Sequence, residues 1–103
     1  MRLGRTLGTV TLSQAHPGIT GGVLRLVVPL SLDRLSAGDG PAEPVVAWDA
    51  LGSGDGQLVA FSEGSEAAQP FRPQMRPVDA SIAAIIDTLD LEPEALHAPE
   101  SPA

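Results

Sequence analysis

Three groups of residues in this chain have types and spacing that suggest chemistry. The first is Gly52-Ser53-Gly54-Asp55-Gly56, set between the short apolar runs Val45–Trp48 and Gln57–Phe61. Alternating glycines can open backbone N–H groups toward a phosphate. The loop lacks the Gly-Lys-Ser/Thr ending of a P-loop, and it is too short for a dinucleotide fingerprint with its following helix. Asp55 would also repel a phosphate. Glycines in such a loop otherwise serve unusual dihedrals or close backbone approach, so a structural turn or a packed interface is the better reading.

The second group is serine, histidine and aspartate together, which raises the question of a nucleophilic triad. No Gly-x-Ser-x-Gly elbow is present. His16 lies beside a proline turn and His97 in a proline-rich, acidic stretch, and neither stands in an evident pairing with an orienting carboxylate. Both read as surface histidines. The third group would be metal ligands. The chain has no cysteine, neither histidine has a second histidine at i+3 or i+4, and its carboxylates are not spaced as in a calcium loop. Neither catalytic residues nor a cofactor nor a metal is expected. Asp49, Asp79 and Asp87 each follow apolar residues, a setting in which a carboxylate caps a turn or accepts backbone N–H bonds.

Composition limits the partners. The chain has 103 residues and a formal charge of −7, and every cation is arginine. That balance argues against a general nucleic-acid binder, as does the scarcity of aromatic residues (Trp48, Phe61 and Phe71). Arg2, Arg5 and Arg25 could pair with acidic groups of a neighbouring subunit or remain solvated. No run approaches the roughly 20 apolar residues of a membrane span, and no signal-peptide layout opens the chain. The expectation is one soluble, cytosolic domain.

The elements that must position these groups are mostly strands. Arg5–Leu12 alternates imperfectly, with Leu7 on the wrong face. Val23–Leu32 is the clearest strand, placing Leu24, Leu26, Val28, Leu30 and Leu32 on one face. Pro29 in that run marks an edge, a bulge or the strand's end. Val45–Trp48 lacks alternation and reads as buried on both faces. Ser65–Gln69 has helix-forming composition. Ile82–Ile86 is ambiguous, and its alanines with the preceding Pro-Val-Asp favour helix by pattern. The domain is expected over 1–90, followed by a tail at 91–103 that is flexible or holds one short helix at Pro93–His97. A small, mainly β barrel of about five strands is the economical way to hide sheet edges.

The order of these pieces resembles one family. Gly8-Thr9-Val10 opens a strand. Ile19-Thr20-Gly21-Gly22-Val23-Leu24-Arg25-Leu26-Val27-Val28-Pro29-Leu30 is similar to Leu-x-Gly-x-Lys-Leu-Leu-x-Val-x-Pro-Leu. Val46–Gln57 is similar to Val-Ala-x-Asp-x-x-Gly-Ala-Gly-x-Gly-Glu. Gly64-Ser65-Glu66-Ala67 and Pro77-Val78-Asp79-Ala80-Ser81-Ile82 complete the series, which ends at Ile86-Asp87. The chain resembles the pentameric vertex proteins of bacterial microcompartment shells, which include the ethanolamine-utilisation and carboxysome vertex proteins. Ser53 stands where the pattern has alanine, Gln57 where it has glutamate and Glu66 where it has serine.

The resemblance implies a five-stranded barrel like the oligonucleotide-binding fold, assembled as a homopentamer. Such a ring would cap five-fold vertices beside hexameric and trimeric shell proteins, in the shell of a cytoplasmic microcompartment. It implies no enzyme activity, no nucleic acid and no membrane. Gly52, Ser53, Gly54, Asp55, Gly56 and Gln57 become a candidate subunit-interface or five-fold-axis loop. Gly64, Ser65, Pro77, Val78 and Asp79 become candidate packing turns. The resemblance also makes Ile82–Leu89 a barrel-closing strand, against the helical pattern. The alternative is a monomeric barrel of the same fold that binds a small ligand or nucleic acid.

Overall fold

The computed structural model describes residues 1–31 and 43–92. The strands are β1 (Arg2–Val10), β2 (Val23–Pro29), β3 (Val45–Asp49), β4 (Leu58–Glu63) and β5 (Ala80–Ile85). They close into one barrel in the order β1-β2-β3-β5-β4. β3 and β5 run parallel, and every other pairing is antiparallel. Closure leaves no open edge among them, which is the problem a small sheet must solve.

The tertiary partners of Ile82–Ile86 override its helical pattern. Ala80–Ile85 pairs with β4 along its length and meets β3 at Trp48↔Ser81. Isoleucine suits such a buried, pleated position, because its branched Cβ already restricts χ1. Gly64–Phe71 forms a 3-10 helix, which includes the expected turn at Ser65–Gln69. His97 and the expected turn at Pro93–His97 lie outside the described residues.

The faces of β2 differ from the simple alternating reading. Val27 and Pro29 point into the barrel, not the leucine row. A β-bulge in β1 accounts for this. Register steps from Thr6↔Val27 to Gly8↔Leu26, leaving Leu7 unpaired. Gly4 and Thr6 therefore face inward before the bulge, and Thr9 joins the inward row opposite Arg25 after it. The misplaced Leu7 of the sequence pattern is the extra residue. Pro29 ends its strand, as its missing N–H requires.

The interior is small and filled. Val27, Ala47, Val59, Phe61, Ala80 and Ile82 form the core. Fully burying a side chain such as Val27, Val59 or Phe61 contributes about 1.5–3 kcal/mol. Gly4 makes room there, because a Cβ at that position would overlap Val27 and Phe61. Trp48 and Leu24 are register partners on the outside of the barrel, yet both are buried. Trp48 is covered by Phe71, edge to face at 5.8 Å, and by the Arg76 guanidinium, 4.4 Å from its ring centroid. Arg76 also donates to the Gly18 carbonyl at 2.8 Å, joining the residues before β5 to the turn at Pro17–Ile19. β3 is thus covered on both faces at Trp48, whereas its neighbour Val46 is exposed on the outer face.

Gly22 belongs to this outer cluster, since a Cβ there would strike the Trp48 indole. Gly8 has open space around its missing Cβ. Gly22→Ala should therefore destabilise the protein by about 1–3 kcal/mol, while Gly8→Ala should change stability little. Urea midpoints at one fixed protein concentration would check this pair. Equal effects from the two substitutions would contradict the packing described.

Candidate functional site

Asp49 ends β3 and is 5% exposed, with a fully buried carboxylate. Its Oδ1 accepts the N–H groups of Leu51 at 2.9 Å and Gly52 at 3.2 Å. Its Oδ2 accepts the Ser53 N–H at 2.8 Å and the Ser53 hydroxyl at 2.7 Å. Arg25 approaches the same oxygen, with Nε at 3.3 Å. The Arg25 guanidinium also donates to Thr9 Oγ1 and lies 3.8 Å from Asp55. Burial alone would raise the Asp49 pKa. The Ser53 hydroxyl, the Leu51 and Ser53 amides and Arg25 outweigh burial and hold the carboxyl below its ordinary value.

The rest of the loop is fastened to β1. Gln57 Oε1 accepts the Gly54 N–H at 2.6 Å. Thr6 is wholly buried. Its carbonyl accepts from Gly56 at 2.8 Å, its N–H donates to the Gln57 carbonyl at 3.0 Å, and its hydroxyl bonds Gly54 and Gln57. Arg5 donates to the Gly56 carbonyl at 2.9 Å. Gly52 and Gly56 have φ of 79° and 75°, where a side chain would be strained.

This geometry decides between the readings of the loop. The N–H groups of residues 51 to 54, 56 and 57 are all committed within the chain, so the loop offers no run of free N–H groups to cradle a phosphate. The glycines at 52 and 56 serve backbone dihedrals, and nothing among the described residues crowds their missing Cβ atoms. The Gln57 acceptor is used inside its own loop. Asp49 caps the turn as its sequence context suggested, while the side chains of Asp79 and Asp87 belong to exposed residues. Ser53 meets Asp49 without a histidine. His16 accepts the Gly18 N–H at 2.8 Å, capping the short 3-10 turn. Among the described residues, no three His, Cys, Asp or Glu side chains could together hold a metal.

The expected turns meet one another. Gly64, at φ 71°, opens the 3-10 helix and donates its N–H to the Asp79 carbonyl at 2.9 Å. Val78 donates to the Arg76 carbonyl at 2.8 Å, with Pro77 between them, and Ser65 is exposed at the start of the helix. The three N-terminal arginines all have partners within the chain: Arg2 with Glu63 at 3.2 Å, Arg5 with Gly56 and Arg25 with Asp49. Two contributors escaped the sequence reading. Thr6 carries no local signal among the residues of β1, and Arg76 is recognisable only once Trp48 and Phe71 are neighbours.

A barrel whose most organised feature is a self-satisfied loop suits a structural part better than a reaction site. Residues 1–87 match the family model described as ethanolamine utilisation protein EutN/carboxysome. The chain belongs to the EutN/CcmL family. Among relatives of this family, it is 38% identical over 93 residues to the bacterial microcompartment shell vertex protein PduN of Salmonella typhimurium. That match covers 86% of this chain and 98% of PduN. It is 36% identical over 97 residues to the carboxysome shell vertex protein CcmL of Gloeobacter violaceus, covering 94% and 93%. Its fold is similar to that of GrpN, a pentameric microcompartment shell protein from Rhodospirillum rubrum. The TM-score is 0.73 at 30% identity, with 89% of this chain and all of GrpN covered.

The lowered pKa of Asp49 gives a pH signature. Its ionised form stabilises the fold fully above the ordinary carboxylate value of about 3.9, and that contribution is lost as pH falls through the lower native value. Asp49→Asn should cost about 3 kcal/mol at pH 7 and should flatten the loss of stability below about pH 4. Denaturant titrations of both proteins from pH 2 to 7 would test it. Parallel curves separated by nothing at pH 7 would refute the role given to Asp49.

Proposed function

We propose that this chain is a structural shell protein, five copies of which form a ring that caps the five-fold vertices of a bacterial microcompartment. The observation that carries this reading is the near full-length match to proteins named shell vertex proteins, one of them described as pentameric. The physical logic agrees with it. A heterologous interface closes into a ring when the rotation between neighbours is a simple fraction of a turn. Flat hexagonal layers cannot close a polyhedron, and five-fold units supply the missing curvature. Its partners would be hexameric and trimeric shell proteins. Nucleic acid has no place in this reading, in line with the chain's charge of −7.

Residues 1–90 are the vertex domain in this proposal, and 91–103 are a tail. The loop from Gly52 to Gln57 faces a neighbouring subunit or the ring axis, and its inner side is held by Asp49 and Thr6. The joined turns at Gly64, Ser65, Pro77, Val78 and Asp79 pack the rest of the ring. No step of chemistry is assigned to the protein.

Native mass spectrometry of the purified chain should show a mass five times the 10.6 kDa monomer. Coexpression with hexameric shell proteins should then give closed particles, where omission of this chain leaves open or elongated ones. A strictly monomeric protein at micromolar concentration would overturn the proposal and favour a monomeric ligand-binding barrel.

A further inference from the structure

We infer that neighbouring copies meet by Leu51 of one protomer seating in the groove beside the β1–β2 hairpin of the next. This rests on the ring proposed above and names the surfaces that make it. The groove is about 410 Å³ and is lined by Val10, Leu12, Ile19, Val23 and Leu24, with hydroxyl and glycine residues between them. Among the described residues, none that lines it is charged, although 18% of the chain is. An ionic metabolite would find no counter-charge there, whereas depletion of charge marks the centre of a protein interface. Leu12 and Val23 stand 44% and 42% exposed on it, so apolar surface remains to be covered.

The occupant is argued from the loop. Leu51 is 50% exposed, yet its own N–H is bonded to Asp49 and the next residues are fastened in turn. A leucine held outward on a fixed backbone loses little freedom on docking, which favours it over an exposed side chain on a looser segment. The two surfaces also lie at the same end of the barrel, because Val23 is the register partner of Asp49. A cyclic ring has rotation without translation, so with the barrel set along the ring axis its two mating patches must lie at one level. Knob and groove are different surfaces of one chain, as a heterologous ring contact requires.

The chain has no cysteine, so introduced thiols can report the contact without background. Two double variants, Leu51→Cys with Val23→Cys and Leu51→Cys with Leu12→Cys, would be treated with a short bismaleimide at low protein concentration. A covalent ladder ending at five chains is expected from both, and the single variants should give none. A Val46→Cys with Val23→Cys variant serves as comparison, since Val46 is equally exposed on the outer sheet face. Separately, Leu51→Asp should weaken the ring roughly tenfold or more in native mass spectrometry, while far-ultraviolet circular dichroism stays that of the wild type. A wild-type pentamer whose Leu51 variants give no ladder would overturn the inference and leave the ring standing, as would a ladder from the Val46 variant alone. A monomeric wild type would instead remove the ring itself.

Discussion

One buried carboxylate sets the conditions for the rest of the structure. Asp49 stands at the end of β3 with an arginine and a hydroxyl beside it, and it accepts the amides that turn the chain out of the strand. The carboxylate is desolvated, and those donors together outweigh that cost and keep it ionised. Arg25 carries the constraint to β2 and, through Thr9, to β1. The loop that leaves Asp49 then crosses to Thr6 and is bonded there at several atoms. The loop surface at one end of the barrel is therefore shaped within the single chain. A surface already formed loses less on association than one ordered by its partner.

Seen this way, two departures from the shell-vertex pattern have a local meaning. Ser53 stands where that pattern has alanine, and its hydroxyl supplies a 2.7 Å bond to Asp49 that alanine lacks. Gln57 stands where the pattern has glutamate, and its amide oxygen still accepts the Gly54 N–H. The loop thus keeps its clasp with one negative charge fewer on the rim. The glycines divide their labour. Gly52 and Gly56 set dihedrals in the loop, while Gly4 and Gly22 give space to a valine and a phenylalanine inside the barrel and to a tryptophan outside it.

Much of this was legible in the sequence, and the rest failed for physical reasons. The strand content, the turn at the 3-10 helix and the capping role of Asp49 follow from local chemistry. The orientation of β2 does not, because a single bulge at Leu7 in a different strand decides which face of β2 is inside. Ile82–Ile86 reads as helix in isolation, and only its pairing with β4 and β3 makes it a strand. Resemblance supplied that correction where periodicity could not. The glycine loop was recognisable as special, but its fastening to Thr6 joins residues far apart in the chain. The Trp48–Arg76 contact is hidden for the same reason.

Asp49 holds the loop fixed before any neighbour arrives. Amide hydrogen exchange of Leu51, Gly52 and Ser53, followed by nuclear magnetic resonance on a ring-disrupted variant at pH 7, tests it. Protection at these amides comparable to that of β3 and β4 is expected, because their partner is buried and ionised. Exchange at the rate of an open chain while the strands stay protected would contradict it.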